Sequence, residues 1–180
     1  CSSDTVSQTG LVKDKPAAAI NYNNNACANI PFSVAAIVSV NDAIISNKQW
    51  WVNDIAETIN SNTLNLVKPA GEYTIKYVAV SDKGCASDTT IKNIVVDIQP
   101  QANAAIENGC AGKQVNFSSQ LVAGNAARHQ WYFGNGDSSN MASGSHTYLQ
   151  PGSYPATYVA TSLNGCPGNT YSVPVIIEST

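Results

Sequence analysis

Charged side chains are scarce in this sequence. Nine Lys and Arg and twelve Asp and Glu make up 12% of its 180 residues, about half the share usual in soluble domains. The net charge is −3 and the pI near 5.2, which argues against any sizeable electrostatic attraction to nucleic acid or anionic lipid. Histidine occurs twice and methionine once. No cofactor motif accompanies them, so catalytic equipment is sparse and neither a cofactor nor a metal site is expected. No apolar run approaches the roughly 20 residues that span a bilayer as a helix. None of the five cysteines sits in a CxxC pair, which argues against a zinc knuckle. What the chain has in quantity is uncharged polarity: 20 Asn, 19 Ser and 12 Thr beside 43% hydrophobic residues. The length leaves room for one large domain or two small ones. This balance points to a non-enzymatic, extracytoplasmic protein.

Cys27 and Cys85 stand 58 positions apart, and Cys110 and Cys166 stand 56 apart. Two near-equal spans in series suggest two domains, each closed by its own disulfide. Four cysteines allow three pairings, and the local one draws its support from the repeat below. Each bridge would remove loop-closure entropy worth about 4 kcal/mol, and such bridges imply an oxidising compartment. Cys1 is left over. The opening Cys1-Ser2-Ser3-Asp4 resembles a mature bacterial lipoprotein, whose first cysteine carries the lipid; the alternative is an arbitrary fragment end. A lipid on Cys1 would be the route to a membrane.

The sequence repeats itself. Gly71-Glu72-Tyr73-Thr74-Ile75-Lys76-Tyr77-Val78-Ala79-Val80-Ser81-Asp82-Lys83-Gly84-Cys85 aligns without gaps on the run from Gly152 to Cys166, at a shift of 81. Gln49-Trp50 falls on Gln130-Trp131 at the same shift, and Cys27 falls on Cys110 within two residues. The expected organisation is a tail over 1–15, one domain over 16–98 and its copy over 99–180, with a boundary near Gln99-Pro100-Gln101. The short, proline-bearing linker predicts a stiff, elongated pair.

The local signals are all β. Tyr73, Ile75, Tyr77 and Ala79 share one face under period-2 alternation. Residues 30–38 and 90–98 are further runs rich in branched side chains, punctuated by turn clusters such as 21–25 and 134–137. Short strands with regular turns predict a β-sandwich. The order Cys, Trp, Cys occurs in each half (Cys27, Trp50, Cys85; Cys110, Trp131, Cys166) and resembles immunoglobulin domains. Each second cysteine, however, follows a glycine in the turn after the Tyr-rich strand, so a bridge there would pin one end of a sandwich.

Trp131-Tyr132-Phe133-Gly134-Asn135-Gly136, then His146-Thr147-Tyr148, then Pro151-Gly152-Ser153-Tyr154 resembles the PKD family, which are immunoglobulin-like sandwiches. Asn135 stands where the family usually has Asp. The first repeat keeps Trp50 and Gly71-x-Tyr73 but reads Trp51-Val52-Asn53-Asp54 at the glycine turn, a degenerate copy. The resemblance implies an all-β fold of two tandem Ig-like (PKD-like) sandwiches. It also implies a spacer or binding module of surface proteins, adhesins or secreted hydrolases. On this reading the glycines admit positive φ, and His146 and Tyr148 brace the strand before the Pro151-Gly152 turn. His129 has no evident partner motif. Asp42, Asp54, Asp82 and Asp137 fall in loops, and solvated turn acids are favoured over a Ca²⁺ site for lack of suitable spacing.

Asn116-Phe117-Ser118 fits the N-glycan sequon but falls in a predicted strand. Asp4-Thr5-Val6 and Asp88-Thr89-Thr90 resemble the O-glycosylation motif of Bacteroidota envelope proteins, which marks Thr5 and Thr89. Three functions are compatible with these features. The first is a structural subunit that polymerises with copies of itself into a surface filament, its N-terminal segment (Val6, Leu11, Val12) adding as a strand to a neighbour. The second is an adhesive or carbohydrate-binding module on a lipoprotein stalk, with Trp51 or Tyr132 stacking on sugar rings. Trp50-Trp51 supports it, because strand neighbours face opposite sides. The third is a fragment of a larger secreted enzyme. The first is placed slightly ahead.

Overall fold

A computed structural model describes residues 14–180. Every regular element among them is a strand. The first repeat supplies β1 (Ala17–Asn21), β2 (Phe32–Ser39), β3 (Ile45–Val52), β4 (Ile55–Glu57), β5 (Thr63–Leu66), β6 (Gly71–Ser81) and β7 (Thr90–Val96). They form a three-stranded sheet ordered β1-β2-β5 and a four-stranded sheet ordered β4-β3-β6-β7. The second supplies β8 (Gln101–Ile106), β9 (Gly109–Cys110), β10 (Gln114–Ala123), β11 (Arg128–Tyr132), β12 (Ser138–Ser139), β13 (Ser143–Thr147), β14 (Gly152–Thr161) and β15 (Tyr171–Glu178). Their sheets are ordered β13-β10-β8 and β12-β11-β14-β15-β9. The fold is all-β, built of Ig-like sandwiches.

The duplication extends to register. Trp50 lies opposite Tyr77 across β3 and β6, and Trp131 lies opposite Tyr158 across β11 and β14. All four are fully buried. Alternation works as the pleat dictates: Ile75, Tyr77 and Ala79 on β6 and Ala156, Tyr158 and Ala160 on β14 point inward. Around Trp131 the core gathers Val115, Phe117, Phe133, Tyr148, Val175 and Ile177.

Two compact units emerge. The first takes residues through Asn23, Ser33–Leu66 and Tyr73–Ile94; the second takes Asn24–Phe32, Val67–Glu72 and Val95–Thr180. Three segments of the first repeat thus group with the second unit, Cys27 among them.

The cysteines correct the expected pairing. Cys27 is bonded to Cys166, with Cα atoms 5.6 Å apart, while Cys85 and Cys110 are free. The physical reason lies in packing inside the second unit. The turn carrying Cys166 sits against the 26–27 segment and Asp97. Ser162 Oγ donates to Asp97 Oδ2 at 2.8 Å, the Asn164 N–H donates to the same oxygen at 3.2 Å, and Cys166 Sγ is 3.5 Å from the Ala26 carbonyl. Near-equal cysteine spans report the duplication and are the same whether bonds close within repeats or between them.

Candidate functional site

The second repeat's signature residues converge on a loop and brace. β11 ends at Tyr132, Phe133 turns inward, and Gly134 and Gly136 follow at φ of 80° and 101°. A side chain at 134 would meet Pro155 N and Cδ at 2.9 Å, so the turn requires glycine on two counts. The Phe133 N–H donates to the Asp137 carbonyl at 3.0 Å. Asn135 Nδ2 donates to Asp137 Oδ2 at 2.9 Å and lies 3.2 Å from His146 Nε2, while Asn135 Oδ1 accepts from the Asp137 N–H at 3.1 Å. The His146 ring stacks flat on Phe133, centroids 4.1 Å apart, and meets Tyr148 edge-on at 4.6 Å. Tyr148 Oη donates to the Phe133 carbonyl at 3.0 Å, and Tyr154 Oη donates to the Gln150 carbonyl at 2.8 Å.

Burial lowers the pKa of His146, with Asp137 opposing more weakly. Burial first, then Tyr154 and Asp137, pushes Tyr148 up to about 12. Each polar group here is engaged in holding the loop. His129, which had no partner in the sequence reading, has Nδ1 within 2.5 Å of Tyr158 Oη.

The first repeat solves the same turn without glycine. Asn53 and Asp54 adopt φ of 49° and 65° between β3 and β4, a two-residue hairpin turn of the kind Asn and Asp tolerate. Asn53 Oδ1 accepts from the Thr74 N–H at 2.8 Å, and Asp54 pairs with Lys76. Beside this turn, Trp51, Asp54, Lys76 and Thr89 line an open groove of about 250 Å³. Thus Trp51 and Thr89, singled out separately, come together. Trp51 is half-buried and Thr89 exposed. Tyr132, at the equivalent position of the second repeat, is 55% exposed. Sequence reasoning missed Lys76 and Asp54 as wall residues. Lys76 is the cross-strand partner of Trp51, a signal available only once the pairing is known.

Cys1, Thr5, Val6, Leu11 and Val12 lie outside the described residues. Asn116 lies in β10, with its Nδ2 donating to Glu107 Oε2 at 2.9 Å. Among the described residues, no group of three or more His, Cys, Asp or Glu converges as a metal site would require. Asp82 instead pairs with Lys83 and accepts from the Ile44 N–H. Among the described residues, no helix is long and apolar enough to cross a membrane.

Residues 97–177 match the family model described as the PKD domain. None of the curated proteins matches the sequence. Among solved structures, the chain is similar to the fibronectin(III)-like modules of Clostridium thermocellum CbhA, at 13% identity and a TM-score of 0.59, over 89% of this chain and 94% of that one. It is also similar to the PKD1 domain of the Vibrio cholerae metalloprotease PrtV, at 26% identity and a TM-score of 0.39, over 45% of this chain and 99% of that one. The PKD1 domain of Vibrio anguillarum Epp gives 26% identity and a TM-score of 0.41, over 47% of this chain and 99% of that one. The PKD match covers the second repeat, and the chain shares its all-β fold with tandem β-sandwich modules. Such folds are typically non-catalytic and PKD domains are typically extracellular, in keeping with the disulfide.

Proposed function

We propose that this chain is a non-enzymatic structural subunit of the cell surface, whose tandem Ig-like domains assemble head to tail with further copies into a filament. The observation that carries the reading is the Cys27–Cys166 disulfide, which joins the first repeat to the second instead of closing each on itself. A linkage running from one repeat to the next is one that repeated units can continue. Continued from one copy to the next, such a linkage would be a heterologous contact, the kind that generates open polymers. The N-terminal segment with Val6, Leu11 and Val12 is a candidate donor strand for the same assembly. Electron microscopy of the native material tests the reading: filaments with a regular axial repeat support it, and dispersed monomers count against it. Deleting residues 2–13 separates the mechanisms, because strand donation predicts that filaments vanish.

A second reading is supported by the Trp51 groove, where an aromatic face lies beside Lys76, Asp54 and Thr89. An apolar ring face with polar groups around it suits a sugar ring. On this reading Trp51→Ala abolishes glycan retention and leaves folding intact. O-glycosylation at Thr89 would place a glycan in the same groove, and a mass shift on the tryptic peptide containing Thr89 checks it.

A further inference from the structure

Among the described residues, the two free cysteines occupy the two positions that the bonded pair leaves open. Cys27 is the first cysteine of its repeat and Cys166 the second of the next. Left over are a second cysteine, Cys85, and a first cysteine, Cys110. Their surroundings are copies of the bonded ones. Around Cys27, the Ala28, Asn29 and Ile30 N–H groups donate to the Asp97, Lys68 and Cys27 carbonyls at 2.8, 2.9 and 3.1 Å. Around Cys110, the Ala111, Gly112 and Lys113 N–H groups donate to the Glu178, Tyr148 and Cys110 carbonyls at 2.9, 2.8 and 3.1 Å. The parallel bridge of Cys27 to Asp97 has its counterpart in that of Cys110 to Glu178.

The turns are equally alike. In the bonded turn the Ser162 N–H donates to the Cys166 carbonyl at 2.9 Å and the Cys166 N–H to Ser162 Oγ at 3.1 Å. In the free turn the Ser81 N–H donates to the Cys85 carbonyl at 2.9 Å and the Cys85 N–H to Ser81 Oγ at 3.2 Å. Gly165 and Gly84 have φ of 84° and 80°.

The bonded site therefore serves as a template. There the turn's serine hydroxyl and its Asn164 N–H grip Asp97 while the sulfurs join. At Cys110, Glu178 stands in the place of Asp97, and an open groove of about 290 Å³ is lined by Asn108, Gly109, Cys110, Ile176 and Glu178. In the free turn Ser81 stands in the place of Ser162 and Lys83 in that of Asn164, so a hydroxyl and a backbone N–H are again available to a carboxylate, while the Lys83 side chain pairs with Asp82 of its own turn. The bonded cysteines are 9% and 0% exposed, whereas Cys85 and Cys110 are both half-buried.

We propose that the Cys110 groove receives the Ser81–Cys85 turn of a second copy of this chain and closes a Cys110–Cys85 disulfide between copies. The linkage inside one chain then continues from chain to chain. The proposal rests on the head-to-tail reading but does not need the N-terminal strand. The oxidant is a small-molecule disulfide such as oxidised glutathione. One protein thiolate attacks it, releasing one reduced thiol and forming a mixed disulfide; the second protein thiolate displaces the other. The two protein thiols lose two protons and two electrons, and the oxidant's sulfur–sulfur bond takes up both electrons as it breaks.

Cys1-Ser2-Ser3-Asp4-Thr5 reads like Cys85-Ala86-Ser87-Asp88-Thr89, so Cys1 belongs by sequence to the turn class, and the experiment uses the full chain carrying Cys1→Ser. Incubation with oxidised glutathione should give a ladder on a non-reducing gel, with Cys110–Cys85 as the cross-linked peptide pair. Cys85→Ser and Cys110→Ser should each remain monomeric, and an equimolar mixture of the two should stop at dimers. Glu178→Lys should slow the ladder several-fold. Ladders made of Cys85–Cys85 or Cys110–Cys110 pairs, an internal Cys85–Cys110 bond, or monomers with two thiols still open to maleimide would each overturn the joint. Blocking thiols with iodoacetamide on the folded chain repeats the comparison without substitution. Filaments that persist with both cysteines replaced sink this joint and leave the filament reading standing; loss of filaments by deletion of 2–13 alone has the same meaning.

Discussion

At the scale of single residues, His146 is the most informative. Its imidazole is stacked on Phe133 and partly desolvated, so the folded chain holds its proton less tightly than the ordinary value of 6.5. The unfolded chain consequently takes the proton first as pH falls. The stability from this group is complete above about 6.5, declines below it, and levels off once the folded imidazole also protonates. His146→Phe keeps the stack, and urea unfolding across roughly pH 5 to 8 should show a flatter dependence than the unaltered chain. Asn135 sets the same balance from the other side. Its amide nitrogen lies 3.2 Å from His146 Nε2, and Asn135→Asp puts a carboxylate there, so an NMR titration should find the His146 pKa raised. Tyr148→Phe deletes the bond to the Phe133 carbonyl and should cost about 1–3 kcal/mol in urea unfolding, because a buried acceptor loses its donor.

At the scale of elements, the two tryptophan strands make a controlled comparison. Trp50 Nε1 donates to the Ser61 carbonyl at 2.8 Å, whereas Trp131 Nε1 is buried with no partner. Trp→Phe at either site loses volume, but only at 50 does it also lose a hydrogen bond. Trp50→Phe should therefore destabilise by about 1 kcal/mol more than Trp131→Phe, measurable in parallel denaturant melts. Gly134→Ala forces a side chain into positive φ and against Pro155, an expected loss of about 1–3 kcal/mol. Much at this scale was legible in the sequence. Alternation put Tyr73, Ile75, Tyr77 and Ala79 on one face, and the 81-residue shift matched Trp50 to Trp131 and Tyr77 to Tyr158. The Asn53-Asp54 turn read as a decayed glycine loop because sequence shows residue types and not φ; the left-handed conformation is met there by Asn and Asp instead. The Trp51 groove was half-legible: an outward tryptophan follows from strand alternation, but Lys76 joins it only through cross-strand register.

At the scale of the whole molecule, the disulfide is where sequence reasoning failed. Cys27, Cys85, Cys110 and Cys166 were rightly sorted into two firsts and two seconds, yet duplication makes their spacing blind to pairing. What decides it is the seating of the Ser162–Cys166 turn on Asp97 and Ala26, a contact between residues 65 or more positions apart. The bridge spans 139 positions, so its removal by Cys27→Ser relaxes a large loop and should lower stability by up to about 5 kcal/mol in the chain-entropy model. Chemical unfolding of the variant beside the intact chain checks the figure. The same bridge also decides how the chain answers tension. A pull on the two ends first loads the pairings of β1 with β2 and of β15 with β14; once these give way it passes through the sulfurs from Cys27 to Cys166, and the 139-position span between them cannot be drawn out while the bond holds. Cutting it exposes that span to the load, and its complete unfolding would release at most about 3.5 Å per residue, roughly 490 Å. A tether built from this chain would keep its length under strain in an oxidising medium and pay out only when a reductant reaches it.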